Sequence, residues 1–260
     1  MISALEQWPG AGWELISETP YSPAVNLAVD EVLTRQVQEG RRPPTLRFWG
    51  WSCRAIIIGR FQSVRNEVDL EAAKEMDVEV DRRMSGGGAM FVEPERTVTY
   101  SLYLPESLLF GLSIKDSYEA CDSWAVACFQ SLGIEAAYAP LNDIISSSGK
   151  IGGAAQARKP GVILHHTTIA YEMNPQDMLR LLRIGKDRLS AKGIPSAAKQ
   201  VDPLRRQTKR SRTEIVGHLT DCFRDRFGLT EGRLTQEDQD AIENLARERY
   251  GNEKWTFDLP

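Results

Sequence analysis

Residues 141–166 read LNDIISSSGKIGGAAQARKPGVILHH, and this stretch, continued to Met173, decides the fold. DIISS (143–147) and GVILHHTTIAYEM (161–173) are rich in β-branched residues and predict two strands flanking a Gly149-Lys150 turn. Upstream, TLRFW (45–49) and RAIIIG (54–59) are a second pair of β-rich runs, with Gly50 and Ser52 between them, and predict a hairpin. VEVDRR (78–83) and TVTYSLYL (97–104) alternate and predict further strands. Hairpin spacing of this kind disfavours a doubly wound parallel sheet. It favours an α+β fold of mixed, largely antiparallel sheets flanked by helices.

The helices announce themselves through their ends. Ser22-Pro23 opens and Gly40 closes a stretch whose Val25, Ala28, Val29, Val32, Leu33 and Val37 form one apolar stripe. A short helix is expected at 69–77. Ser113 with Asp116 opens a longer one, in which Ile114, Tyr118, Cys121, Ala125, Cys128 and Leu132 recur at spacings of three and four before Gly133. That periodicity buries Cys121 and Cys128. From about Pro175 the character changes: a basic linker, AKGIPSAAKQVDPLRRQTKRSR (191–212), precedes two amphipathic helices at 213–227 and 235–249, the second opened by Thr235 with Asp238. Residues 1–200 are therefore expected to form one catalytic domain, and 201–260 a helical extension packed on it, too short for a full accessory domain.

Composition narrows the function. With 26% charged residues and a net charge of -4, the chain lacks the basic field of a dedicated nucleic-acid binder, so the run KQVDPLRRQTKRSR is expected to be a solvated linker. No apolar run approaches the ~18 residues of a membrane span. The first residues, MISALEQWPGAGWELISETP, lack a signal peptide's pattern. The four cysteines are scattered without a CxxC pair or a His-rich companion, which predicts reduced thiols in a cytoplasmic protein rather than a disulfide frame or zinc site.

Three segments carry possible chemistry. In RRMSGGGAM (82–90) a strand runs into two arginines and three glycines. Consecutive glycines cost backbone entropy, so the position calls for a left-handed backbone or a close approach. Arg82 and Arg83 beside exposed amides would make an anion cradle; a Gly-rich hairpin with solvated arginines accounts for the same residues. Lys150 precedes Ile151-Gly152-Gly153-Ala154-Ala155, whose small side chains leave room for a ligand, and Asn142-Asp143 lie upstream. A surface turn lysine with an Asx turn is the plainer account. His165 and His166 must point to opposite faces of their strand, so only one can line a given pocket.

Taken in order, NLAVDEVL (26–33), LRFWGWSCRAIIIGRFQ (46–62), RRMSGGGAMF (82–91), LNDII (141–145), GKIGGAAQARKPGVILHH (149–166) and RERYGNEKWTF (247–257) resemble the lipoate–protein ligase A family. That family is similar in fold to biotin–protein ligases and class II aminoacyl-tRNA synthetase domains. The resemblance implies ATP-dependent attachment of lipoate, through lipoyl-AMP and with Mg2+, to a lysine of a lipoyl-domain or H-protein-like carrier. It implies that Arg82, Arg83, Ser85, Gly86, Gly87, Gly88 and Ala89 contact the acyl chain and adenylate. Lys150 would bind the acyl carbonyl and phosphate oxygens as the catalytic cation. Asn142 and Asp143 would lie beside the phosphates, Asp143 as a Mg2+ ligand, with Gly152, Gly153, Ala154 and His166 completing the binding surface. Trp49, Ile57, Ile58 and Met90 are candidates for an apolar trough around the acyl tail.

The sequence also departs from that family. Ligases typically continue from GGGA into Tyr-His-Asp, whereas here Met90-Phe91-Val92-Glu93 and TVTYSL follow, more like cysteine-dependent octanoyltransferases and lipoyl amidotransferases. Those enzymes carry a nucleophilic cysteine in the loop before the GKI segment, and AYAPLNDIISSS (137–148) has none. The expectation is thus a ligase, served by a separate accessory-domain protein. An ATP-independent octanoyl or lipoyl transferase and a non-catalytic lipoate-binding module are the alternatives.

Overall fold

The structure, a computed structural model, describes residues 5–183 and 200–259. Its strands are β1 (Glu14–Ile16), β2 (Pro20–Tyr21), β3 (Thr45–Trp51), β4 (Ala55–Ile58), β5 (Glu79–Arg82), β6 (Met90–Val92), β7 (Thr97–Pro105), β8 (Ala137–Ala139), β9 (Asp143–Ser146), β10 (Gly149–Lys159), β11 (Val162–Ala170) and β12 (Thr230–Glu231). The large sheet runs β12-β1-β3-β7-β11-β10-β9-β8, with β2 beside β3, and β5-β4-β6 form a small second sheet. From β3 to β8 every neighbour is antiparallel; β1 pairs parallel with β3 and β12. The mixed, largely antiparallel α+β layout is what forms.

Alternation along the central strands divides the core into two layers. The short helix α2 (Leu70–Glu75) packs on the small sheet through Ala73, while Leu46, Phe48, Tyr100, Leu102 and Ile163 face α3 (Ile114–Ser131) and α4 (Arg212–Phe227). Trp49, Trp51, Tyr103 and Leu164 face α1 (Pro23–Gln38), whose stripe of Leu27, Ala28, Val32 and Leu33 joins them. The predicted helix starts hold: Ser22 and Ser113 accept from the backbone amides of Val25 and Asp116, and Thr235 with Asp238 makes a reciprocal capping box. Among the described residues no helix is long and apolar enough to cross a membrane.

Four readings are corrected. β3 and β4 are not a hairpin. Both faces of Ala55–Ile58 are buried, Ile57 against α1 and Ile56 and Ile58 in a separate cluster with Val64, Ala73 and Phe91, so β4 becomes the middle of the small sheet. The Gly-Lys turn with its small residues is an eleven-residue strand, β10. The basic linker lies outside the described residues at 191–199; in the part that follows Arg205, Arg206, Lys209 and Arg210 are exposed as expected, but Val201 bridges Lys150 and Leu204 is fully buried, so this stretch is anchored rather than a free linker. The cysteines do not all stay reduced and apart, because Cys128 of α3 is disulfide-paired with Cys222 of α4, with His218 beside them.

The C-terminal residues are built into both layers. Phe223 and Phe227 of α4 pack on Trp8 and Trp13, β12 edges the sheet, and Ile242 of α5 (Gln236–Leu245) and Tyr250 enter the α1 layer.

Candidate acyl-transfer site

The site grows from β10. Ala155 pairs with His166 and Gly153 with both Thr168 and Asp143, so these five positions share the α1 face of the sheet. Simple alternation would send Lys150 to the opposite face from Gly153. A bulge between Lys150 and Gly152 shifts the register by one residue and brings Lys150 back to it. Lys150 Nζ then lies directly over Gly153, where an added Cβ would be 2.5 Å away. It pairs with Asp143 Oδ1 at 2.9 Å; Asp143 is buried, while the lysine side chain keeps 30% of its surface exposed. The lysine backbone is clamped as well, its N–H donating to Gln200 O at 2.7 Å and its carbonyl accepting from Asp202 N–H at 2.8 Å. Asn142 holds the opposite edge, its amide donating to Ala154 O and its carbonyl accepting from Ala154 N–H.

The glycine loop covers the other end of the same floor. A Cβ on Gly59 would strike Gly87 O at 2.1 Å, so that glycine is required by close approach; Gly87 is required by its left-handed backbone, φ +85°, and its Cβ position lies in ordinary contact with Ala155 Cβ at 3.7 Å. Residues 153 and 155 are one strand repeat apart, about 7 Å. Lys150 and the loop therefore border one strip of small residues, Gly153 and Ala155, the candidate trough; the lysine head lies over the first and Gly87 touches the second.

The arginine pair does not make the expected anion cradle. Arg83 donates to Ser85 Oγ and to the carbonyls of Ile57, Gly86 and Gly88, bracing the loop from beneath. Arg82 donates to the carbonyls of Gly59, Arg60, Gln62, Trp255, Thr256 and Leu259. Both guanidiniums are buried, which lowers each to about 10, so both stay charged at neutral pH. Carbonyl oxygens saturate them.

Beneath the loop runs a chain joining the expected Ser85 and His166 to Asp30, the member that sequence reading missed. His166 Nδ1 meets Asp30 Oδ2 at 2.9 Å and its Nε2 meets Ser85 Oγ at 2.7 Å. Asp30 holds the proton on Nδ1, leaving Nε2 to accept from the serine hydroxyl, which in turn accepts from Arg83 Nε–H. Burial pulls the imidazole below its ordinary 6.5 against the opposing pull of Asp30, so it is neutral at pH 7. Asp30 also accepts from Ser101 and Tyr103, and Arg47 stands 3.7 Å away. The order of groups matches a nucleophile–base–acid relay, but Ser85 is only 1% exposed. Its geometry fixes the loop. The signal in the sequence was a carboxylate inside the apolar stripe of NLAVDEVL. His165 points the other way, to Asp122 of α3 at 2.9 Å, as alternation requires.

The trough candidates separate. Trp49, Ile57 and Met90 belong to the α1 layer, with the Trp49 ring edge-on to His166 at 6.0 Å. Ile58 faces the separate small-sheet core and is removed from the set. A cavity of about 330 Å³ opens beside the loop, lined by Arg60, Phe61, Met84, Gly86, Arg158 and Arg249 among others. No cysteine reaches the trough. Cys121 and Cys128 lie in the opposite layer, and Cys53, pushed up to about 11 by burial and Glu79, sits at the far end of β5 from the loop.

Compared with solved proteins, the chain has the fold of lipoate–protein ligases. It superposes on a bipartite lipoate protein ligase from Thermoplasma acidophilum with TM-score 0.81 and 24% identity, over 96% of this chain and 97% of that one. It matches an ATP-bound lipoate-protein ligase A with TM-score 0.79 and 24% identity, over 96% and 99%. The lipoyl protein ligase A/B catalytic domain model matches residues 22–224, and the chain belongs to that family. Among its curated relatives, octanoyltransferase LipM of Geobacillus kaustophilus is 28% identical over 94% of this chain and 98% of its own. LipM of Oceanobacillus iheyensis is 32% identical over 68% and 70%. The protein is an enzyme of this lipoate/octanoyl ligase–transferase family.

Proposed function

We propose that the chain transfers an octanoyl- or lipoyl-type acyl group from an activated donor to a lysine of a lipoyl-domain carrier. The observation that carries this is the meeting of Lys150 and the glycine loop over one small-residue floor, Gly153 and Ala155. Side chains this small are what an unbranched acyl chain lying between the lysine and the loop would need. Lys150 is the fixed cation that would meet the carbonyl oxygen as it gains negative charge in the tetrahedral intermediate. The attacking carrier amine forms the new C–N bond, loses a proton, and the leaving group departs with the donor's electron pair. The octanoyltransferase relatives favour a carrier-bound acyl thioester as donor over free lipoate.

A second reading is the ATP-dependent ligase, in which the donor is an acyl-adenylate formed on the chain. It is favoured by the lack of any thiol at the trough to hold a covalent thioester. Asp143 belongs to no group of three metal-ligating side chains among the described residues. A magnesium ion there would take most of its octahedron from phosphates and water, as it commonly does. The chemistry magnesium supplies is charge neutralisation at the phosphates. The test is mass spectrometry of an apo lipoyl domain incubated with the chain and either an octanoyl-carrier thioester or octanoate with magnesium-ATP. An acyl mass on the domain with the thioester alone supports the first reading, and one requiring ATP supports the second. No acylation from either donor overturns both.

A further inference from the structure

On the face of the sheet away from the trough, α3 and α4 bring three ligand-type side chains together. Cys128 comes from α3 and is buried; His218 and Cys222 lie one turn apart on α4 and are partly exposed. Residues four apart on a helix share a face, and here that face is turned toward Cys128. Cys222 Sγ stands 3.4 Å from His218 Nε2, and the three donor atoms all lie within 4.8 Å of one another. Cys128 and Cys222 are paired here as a disulfide, with Cα atoms 6.2 Å apart, so the metal form is that of the reduced chain. Ser131 Oγ, from the last turn of α3, lies 2.8 Å from His218 Nε2.

We propose that the reduced chain binds one thiophilic metal ion, with zinc as the probe, through Cys128 Sγ, Cys222 Sγ and His218. Two thiolates and one imidazole with no carboxylate are a donor set for zinc rather than for magnesium or calcium. The two thiolate charges neutralise a divalent ion, which offsets the cost of placing it against the aromatic core around Phe223 and Trp124. Partial exposure of His218 and Cys222 gives the ion an entry path and leaves a fourth position for water or the Ser131 hydroxyl. Binding replaces two S–H bonds with two sulfur–metal bonds and releases two protons, with no change of oxidation state. A disulfide is the rival fate of the same cysteines and needs a two-electron oxidant. His218 distinguishes the two: a disulfide has no use for an imidazole nitrogen directed at its sulfur.

The experiment uses the full chain, reduced and stripped of metal with a chelator, titrated with Zn2+ against a chromophoric zinc indicator. The expected result is one zinc per chain with release of two protons, and a thiolate-to-metal charge-transfer band when Co2+ replaces zinc. His218→Ala, which keeps both thiols, should weaken zinc by at least ~100-fold, and Cys222→Ser should do the same. Lys150→Ala should bind zinc like the wild type. If reduced wild type binds zinc no better than His218→Ala, or releases no protons on binding, the site is not a metal site. Recovery of a Cys128–Cys222 disulfide in a chain that takes up no zinc even after reduction would equally overturn it. Should Cys222→Ser not fold, His218→Ala carries the test, because its side chain is partly exposed and leaves the core cysteine in place.

Discussion

At the residue scale, two buried-charge problems are solved differently. Lys150 keeps its head in reach of solvent, takes Asp143 as partner, and has its backbone fixed by Gln200 and Asp202. It is held in position without being used up by core contacts, as a group meeting transient charge must be. Lys150→Ala is expected to lower kcat/KM for carrier acylation by ~10²–10³-fold, by analogy with loss of one oxyanion donor, while Tm changes little; a variant acylating at the wild-type rate would remove the lysine from the mechanism. Asp81 is the opposite case. Burial, and then the charge of Glu79, push its carboxyl from 3.8 up to about 7. Since the folded value exceeds the unfolded one, the stability this group allows is complete below pH 3.8 and is lost as pH rises through 7. Asp81→Asn should therefore raise Tm at pH 8, with the gain shrinking as pH falls toward 4. Thermal melts across that window check it, and a gain that grows toward acid would refute the assignment.

At the element scale, β10 explains both what the sequence disclosed and what it hid. TVTYSLYL and GVILHHTTIA were legible as strands because β-branched and aromatic residues alternate around a two-sided core. The neighbouring GKIGGAAQARK was not, since glycine and alanine carry little strand preference, and its placement comes from pairing on both sides. The bulge is invisible in the sequence, and counting by twos from Lys150 reaches the wrong face. Asp30 was masked by the apolar stripe around it, whereas the Ser113 and Thr235 caps were readable because capping is local. The arginine pair was noticed but given the wrong work: backbone carbonyls took its donors. Two glycines should separate function from folding. Gly153→Val sets a branched side chain where Lys150 Nζ lies, and the flexible end of the lysine can swing aside, so acylation should fall at least tenfold with the fold retained by circular dichroism. Gly59→Ala puts its Cβ against the backbone of Gly87, which cannot yield so simply. It should cost ~1–3 kcal/mol of stability as well as activity. Equal loss of stability in both variants would contradict the trough geometry.

At the scale of the whole molecule, the C-terminal residues close the structure around the site. Arg212 joins Glu18 through two hydrogen bonds, at 3.0 and 2.6 Å, and reaches Thr97 O, fastening α4 to the sheet. Glu31 of α1 takes Arg249 and Tyr250, and Arg60 stacks on Trp255 at 4.5 Å. The decisive clasp is Arg82, whose guanidinium collects carbonyls from Gly59–Gln62 on one side and from Trp255–Leu259 on the other. The Gly59 backbone it grips is the one pressed against Gly87, so the C-terminus and the glycine loop are two ends of one connection. Arg82→Met keeps the unbranched start of the side chain but removes every guanidinium hydrogen bond to those carbonyls, at a cost of ~3–5 kcal/mol. Hydrogen exchange on this variant should rise together at 59–62, 85–88 and 253–259, and acylation should fall with it, although Arg82 itself never faces the trough. Faster exchange confined to 253–259, with acylation intact, would show that the tail is only an attachment and that the loop holds its shape through Arg83 and His166 alone.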